Sequence, residues 1–325
     1  METDPLSFLS DFVNEHLSDS SEPAARLATK IQKDGFDKWS DYEKMLGEYS
    51  SAFKENEAGD YLRQKAELDR YLGEWLEKKN RQFKDDFISA NAMPCLSSMA
   101  SFSDKLPQLQ KDLISSIRSR HSNEHWRQDI ICFNYTDVLL RMYEKVGGKD
   151  AKLARLNGSL YSMLGDFIQP HGSLTRREIA CGVDNIQQVA NQSFQSNLEV
   201  QQSLIKPITI GKVFYRNDDD RAINIIRNAN IICVFGMSFG KTDTRWWKEI
   251  ASGLKSDNNK LLIIFSYGYS HAVHSFASYE KGQAINAVRE SFYSALEDDS
   301  VSQSLNDRIL VVDSSLLFQV QTTQS

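Results

Sequence analysis

The sequence predicts an α/β protein with a mostly parallel sheet and a large helical N-terminal region. Through about the first 120 residues, apolar residues recur every three or four positions, as in amphipathic helices. From about residue 128, short β-branched runs alternate with helix-like segments, which is typical of a parallel α/β sheet. We therefore expect a helical region over residues 1–125, packed on an α/β core over residues 126–325.

Four stretches carry the helical prediction. The segment "PLSFLSDFVNEHL" places Leu9 and its apolar neighbours at helical spacing, and "EPAARLATKIQKDG" ends at Gly35, a suitable C-cap. The long stretch "AGDYLRQKAELDRYLGEWLEKKNRQFKDDF" predicts one straight or bent helix, and "DKLPQLQKDLISSIRSRHS" predicts another. Aromatic stripes of this kind are usually core, so Tyr61, Tyr71 and Trp75 are interpreted as buried packing residues.

The α/β core is predicted from apolar runs that are nearly continuous, as expected for strands covered on both faces. A polar, Gln-rich stretch near residues 185–218 interrupts the alternation and predicts a mixed excursion of loop and helix. The predicted strands are "DIICFNY", "FIQPHG", "EIACGV", "NIICVFG", "KLLIIFSYG" and "RILVVD".

Composition excludes several classes of protein. The chain has 325 residues, 41% of them hydrophobic, and a net charge of −6, so nucleic-acid binding through a strongly basic surface is not expected. The N-terminus has no signal-peptide pattern, and no run is long and apolar enough for a membrane span. Cys132, Cys181 and Cys233 lie in apolar runs without a CxxC pair, which predicts buried reduced thiols and a cytoplasmic location.

The segment "VFGMSFGKTD" nearly matches a phosphate-binding P-loop. That pattern needs four residues between its first glycine and Gly-Lys-Thr, whereas only three separate Gly236 from Gly240. The residue at the correct distance is Phe235, whose bulky side chain belongs in a strand. The spacing therefore disfavours a P-loop ATPase.

The same segment still ends a strand and starts a helix. Ligands of open α/β sheets bind beyond the carboxyl ends of the strands, and backbone N–H groups of such turns suit phosphate or ribose oxygens. The alternative is a turn without a ligand, in which Thr242 or Asp243 caps the helix.

Two further strand ends carry polar side chains. Asn134 follows a strand in "IICFNYTD", where Thr136 or Asp137 can cap the next helix. His171 lies between a proline and a glycine at the end of "DFIQPHG". For each, the alternative is a residue that only stabilises its turn.

A metal site is not predicted. His271 and His274 are spaced so that one helix face could present both. No aspartate or cysteine partner is evident near them in the sequence.

The order of these motifs resembles the abortive-infection AbiH family of bacterial anti-phage proteins. The run "FNYTD", "PHG", "ACGVDN" and "VFGMSFGKTD" followed by an aromatic pair is similar to that family over most of the chain. The segment "WSDYEKMLGEY", with Trp39, Asp41 and Glu43, also resembles the family's Trp-and-acid helix. AbiH proteins in turn resemble the sirtuin-like Rossmann domains of many phage-defence systems.

This resemblance implies a sirtuin-like, Rossmann-like sheet and NAD as substrate or ligand. Asn134 and His171 would be the catalytic pair of an NAD glycohydrolase. The implied partners are a nucleotide, a phage-derived trigger protein and, as a further option, a second copy of the chain in a homo-oligomer. The residues implied to contact NAD are Gly172, Gly236, Ser238, Gly240, Thr242 and Asp243.

Cleavage of the nicotinamide–ribose bond passes through an oxocarbenium-like state. It needs an amide or carboxylate to orient ribose and water, and a general base with a pKa near neutrality. The implied roles give the first task to Asn134 and the second to His171. Asp137 is interpreted as a helix cap.

The chain departs from the family pattern in two places. The family usually opens with a strand and a "GNGFD"-like turn, which this chain lacks, so we expect either a shortened version or a natural start upstream of Met1. Met237 also stands where the family usually has histidine. The alternative function is a non-catalytic sensor or interaction protein that keeps the fold.

Overall fold

The computed structural model describes residues 5–16, 24–35, 38–266, 277–296 and 305–317. Within these ranges the chain is an α/β protein, as predicted. The helices that precede the first strand are α1 (Pro5–His16), α2 (Ala24–Asp34), α3 (Trp39–Glu48), α4 (Ala58–Asn80), α5 (Asp85–Ala100) and α6 (Gln108–Arg120).

The N-terminal helices bury the aromatic stripes that the sequence predicts to be core. Tyr61 and Trp75 of α4 are almost fully buried, and Tyr71 packs against the same cluster. The predicted long helix ends at Asn80, and α5 begins separately at Asp85. We call the buried cluster the N-terminal core; it includes Phe8, Tyr42, Tyr61, Leu72, Phe194, Val200 and Leu204.

The strands form two three-stranded sheets and one ribbon within the described residues. In the first sheet, of order β1-β3-β2, β1 pairs parallel with β3 and β2 pairs antiparallel with it. The second sheet, of order β6-β7-β8, is wholly parallel, and the ribbon β4–β5 is antiparallel. The strands are β1 (Trp126–Ile131), β2 (Lys152–Asn157), β3 (Leu160–Ile168), β4 (Gly172–Ser173), β5 (Glu178–Ile179), β6 (Ile231–Phe235), β7 (Leu261–Ser266) and β8 (Ile309–Asp313).

The sheet β6-β7-β8 is covered on both faces, which explains its nearly continuous apolar sequence. One face packs against Trp246, Trp247 and Phe292, and the other packs against Phe102 and Ile114. The remaining helices are α7 (Val138–Lys145), α8 (Gln192–Gln195), α9 (Leu198–Leu204), α10 (Lys206–Ile208), α11 (Asp218–Asn228), α12 (Thr244–Ser256) and α13 (Ser278–Leu296).

The polar excursion near residues 185–218 folds into short helices. Asn197 caps α9, since its side chain accepts a hydrogen bond from the Val200 backbone N–H at 3.1 Å. Val200 and Leu204 then pack into the N-terminal core. The excursion therefore joins the N-terminal helices to the strand ends. The boundary at residues 125/126 stays a prediction.

The four cysteines are free thiols. Cys132 and Cys181 are buried as predicted, but Cys233 is exposed, so that part of the prediction was wrong. Cys233 lies on β6, which within the described part of the chain is an edge strand, with β7 as its ladder partner. An apolar run predicts a strand, but it does not show where in a sheet that strand lies.

Candidate functional site

Four charged or titratable side chains from distant parts of the chain meet where the strands end. Lys206 Nζ lies 2.9 Å from Glu43 Oε2 and 2.9 Å from Asp243 Oδ1. His171 Nε2 lies 3.4 Å from the same Asp243 oxygen. All four side chains are buried. We call Glu43, His171, Lys206 and Asp243 the ionic cluster.

Local structure places each member. Glu43 lies on α3, which packs against the 3₁₀ turn Lys241–Asp243, and His171 follows β3. Lys206 is held because its backbone N–H donates to the Val183 carbonyl at 2.9 Å. Proline follows Lys206 in the first turn of α10, where a missing N–H costs nothing.

Burial and mutual attraction set the charges of the cluster. Burial raises the pKa of Glu43, and the attraction of Lys206 only partly opposes this shift. Burial alone would lower the pKa of Lys206, but Asp243 and Glu43 raise it above its ordinary value. Burial likewise opposes ionisation of Asp243, yet Lys206 holds its pKa below the ordinary value. The Lys206–Asp243 pair is therefore ionised at neutral pH.

His171 is neutral in this setting. Burial, and then the positive charge of Lys206, lowers the pKa of His171 well below its usual range. The ring packs between Phe133 and Tyr135, with centroids 5.1 and 6.4 Å away. Its Nε2 is close to Asp243, but among the described residues it has no partner with hydrogen-bond geometry.

A second ion pair holds the helix behind the cluster. Asp184 lies in "ACGVDN", and its carboxylate accepts from the Arg245 backbone N–H at 3.1 Å, in the first turn of α12. The Arg245 guanidinium also lies 3.2 Å from Asp184, while its other side reaches Asp219 at 2.6 Å. The start of α12, and with it Asp243, is thus fixed by Asp184, just before the excursion, and by Asp219 on α11.

The predicted glycine-rich turn lies beside the cluster. Gly236 has a φ of 63°, in the left-handed region that favours glycine, and the Ser238 hydroxyl lies 3.5 Å from that of Ser40 on α3. A Cβ on Gly240 would come within 2.2 Å of the Ser40 Cβ, so this glycine permits close packing of turn and helix. Thr242 is fully buried.

Asn134 and Gly172, the other two predicted site residues, differ in exposure and surroundings. Asn134 is exposed on the loop after β1, and its backbone carbonyl accepts from Gln169 Nε2 at 3.0 Å. Gly172 has a φ of 95°, and a Cβ there would meet the Glu178 carbonyl at 2.1 Å. Gly172 on β4 therefore allows the backbone of β5, its partner strand in the ribbon, to come close.

Asp137 takes the N-cap position of α7, as predicted, but its side chain does not cap the helix. The carboxylate instead accepts from the Thr175 backbone N–H at 2.9 Å and from its hydroxyl at 2.8 Å. The expectation of a side-chain cap was therefore wrong, because a donor on the loop after β4 competes for the same oxygen.

Sequence reasoning missed Lys206 and assigned no role to Glu43. Glu43 was noted only as part of the Trp-and-acid helix. Lys206 follows an apolar run in the polar excursion, and a lone lysine is normally solvated. A lysine between an apolar run and a proline is a weak signal of burial.

The structure offers no support for a P-loop. Lys241 is exposed, whereas Thr242, which would hold Mg²⁺ in a P-loop, is buried beside Glu43.

Neither a metal site nor a membrane span is found among the described residues. No group of three or more His, Cys, Asp or Glu side chains is arranged there to hold a metal ion. His271 and His274 lie outside the described residues. In the same part of the chain, no helix combines the length and the apolar character that a membrane crossing needs.

Fold and site together define an α/β protein whose buried ionic cluster lies at strand ends and is covered by an N-terminal helical region. The family model described as bacteriophage abortive infection AbiH matches residues 4–265, more than three quarters of the chain. The chain belongs to the AbiH family, which implies a role in bacteriophage abortive infection. Comparisons with curated proteins and with solved structures give no significant match.

Proposed function

We propose that this protein acts in abortive infection by binding NAD or a related nucleotide at the ionic cluster and hydrolysing its nicotinamide–ribose bond. The observation that carries the proposal is the buried, neutral imidazole of His171, whose Nε2 faces Asp243 at 3.4 Å without hydrogen-bond geometry, at the end of the turn Gly236–Asp243. The two parallel pairings β1–β3 and β6–β7–β8 support a Rossmann-like origin of this arrangement.

The chemistry needs one proton acceptor. Water attacks the anomeric carbon of the ribose, the bond to nicotinamide breaks, and the positive charge of the nicotinamide ring is neutralised as it leaves. The attacking water loses a proton, which neutral His171 accepts. Burial holds the pKa of His171 well below its usual range, so the proposal requires that this pKa rise towards neutrality when the site opens, with Asp243 stabilising the imidazolium. In this proposal Asn134, which lies between Phe133 and Tyr135 in the chain and is exposed, orients the ribose.

Burial adds a condition to this proposal. Only 4% of His171 is exposed, so some of the side chains packed around it, which include Phe133 and Tyr135, must move before a substrate reaches the imidazole. A covered site suits a protein that stays inactive until infection triggers it.

The test is release of nicotinamide from NAD by the purified protein, with and without a phage-infected lysate. We expect release by the wild type and a loss of about 10²-fold or more in His171→Ala and in Asn134→Ala. His125→Ala is the matched control, since His125 is exposed near the amino end of β1 and should keep full activity. Absence of nicotinamide release under every condition would refute the proposed hydrolase activity. Full activity of His171→Ala would show that His171 is not the general base.

One observation favours a second function, that of a non-catalytic sensor or interaction protein. Within the ionic cluster, Lys206 already pairs with both acidic side chains without a ligand. On this alternative the cluster holds the fold together and the helical region contacts a partner. Binding of NAD without any release of nicotinamide, or no binding at all, would favour it over the enzyme.

A further inference from the structure

A small cavity lies between the start of α3 and the turn that precedes α12. Its volume is about 190 Å³, far above the ~15 Å³ that one buried water needs. The cavity therefore has room for a group of several heavy atoms. It is lined by Lys38, Ser40, Asp41, Lys44, Phe239, Gly240 and Lys241.

The lining is basic on balance, although the whole chain is acidic. Three lysines face one aspartate, Asp41. Lys44 forms an ion pair with Glu48, whose carboxylate lies 2.8 Å from its ammonium group. Lys38 and Lys241 have no carboxylate within ion-pair distance in the described residues, so both ammonium groups are available to an anion.

The cavity wall is a built structure. Gly240 packs so closely on α3 that a Cβ would meet Ser40, and the Ser40 side chain is buried at the cavity edge. The Lys241 carbonyl is already engaged, since it accepts from Gln188 Nε2 at 2.8 Å and from the Thr244 hydroxyl at 3.0 Å. These bonds hold the turn in place.

The cavity and the ionic cluster share two elements. Ser40 and Glu43 lie one turn apart on α3, while Gly240 and Asp243 lie in one turn of the chain. A ligand that reaches His171 and extends along these elements therefore passes the two unpaired lysines.

We propose that this cavity binds the phosphate groups of the nucleotide. Lys38 and Lys241 supply the positive charges, and the Ser40 hydroxyl supplies a hydrogen-bond donor. The proposal rests on the proposed function for the rest of the ligand, but phosphate binding can be measured without it.

The experiment is calorimetric titration of the full chain with sodium pyrophosphate and, separately, with NAD. The variant is Lys38→Gln/Lys241→Gln. The control is Lys78→Gln/Lys145→Gln, which removes the same charge from exposed lysines outside the cavity. We expect the cavity variant to bind pyrophosphate about tenfold or more weakly than wild type, and the control to bind like wild type. Affinity should also fall as salt is raised, because both lysines are exposed.

The outcomes separate the two proposals. If pyrophosphate binding is unchanged in the cavity variant, while NAD binds equally well to all three proteins and the wild type releases nicotinamide from it, the phosphate site is wrong and the proposed function stands. If pyrophosphate binding depends on the two lysines while NAD is neither bound nor hydrolysed, the phosphate site stands and the proposed function fails. No pyrophosphate binding by the wild type, or equal loss in the control variant, overturns the phosphate site.

Discussion

Lys206→Met is the most direct test of the ionic cluster. Methionine is similar in length but uncharged, so the variant leaves Glu43 and Asp243 buried without their shared cation. Two unit charges 2.9 Å apart attract by roughly 6 kcal/mol at an effective dielectric constant of about 20. Desolvation offsets much of that attraction in the native protein. Removing one partner of a buried ion pair nonetheless costs about 3–5 kcal/mol, because the remaining charge is buried and uncompensated.

We therefore expect Lys206→Met to lower the free energy of unfolding by about 4 kcal/mol at pH 7, measured by urea denaturation. Lys44→Met is the matched control. Lys44 also forms an ion pair, with Glu48 at 2.8 Å, but both side chains are nearly half exposed. Water screens an exposed ion pair, so this variant should lose less than about 1 kcal/mol.

The pH dependence gives a second readout of the same variant. Burial already raises the pKa of Glu43, and loss of Lys206 should raise it further. A carboxyl whose folded pKa lies above its unfolded value binds more protons when folded, so the deficit of Lys206→Met should shrink as pH falls from 7 towards 5. Glu43→Gln in the Lys206→Met background should recover part of the loss at pH 7. A deficit below about 1 kcal/mol at pH 7, unchanged at pH 5, would refute the cluster's energetic role.

Two further predictions concern His171 of the ionic cluster and Gly240 of the adjoining turn. The pKa of His171 in the folded protein lies below its value in the unfolded chain. The stability that His171 contributes is therefore fully present above about pH 6.5, the unfolded pKa. As the pH falls below that value, this stability is lost by up to ~1.4 kcal/mol per pH unit. His171→Gln should remove that slope in urea denaturation, and His125→Gln should keep it. Gly240→Ala forces a Cβ within 2.2 Å of the Ser40 Cβ and should cost about 1–3 kcal/mol, whereas Gly59→Ala, with open space around it, should cost nothing. Equal stabilities of the two alanine variants would show that turn and helix are not tightly packed.

The sequence predicts elements well where one physical signal dominates. Periodic aromatic residues predicted α4, and continuous apolar runs predicted β6, β7 and β8. Helix α5 was not predicted, because it contains Pro94 and many small polar residues. Strand β2 was also missed, since its sequence "KLARLN" is short and half polar. How strands divide among sheets depends on tertiary packing, which no local pattern encodes.

The site was predictable only in part, for the same reason. His171 and Asp243 stand at strand ends, where ligands of α/β sheets bind, and the structure brings them together. Lys206 lies 163 residues from Glu43 and 37 from Asp243 in the sequence. Nothing near Lys206 in the chain shows that its ammonium group is buried between two acids. Such a contact becomes visible only when the excursion is seen to pack on the N-terminal core.

The same contacts bear on whether residues 1–125 and 126–325 are independent. The N-terminal core joins Phe8 and Tyr61 to Phe194 and Leu204, and the ionic cluster joins Glu43 to the strand ends. A cut at residue 125 would expose apolar surface on both pieces and leave buried charges unpaired, which a marginally stable protein does not tolerate. We therefore expect one cooperative urea transition, with tryptophan fluorescence and far-UV circular dichroism giving the same midpoint. Two separated midpoints, or a stably folded fragment 126–325, would show that the change in sequence pattern near residue 125 marks a true domain boundary.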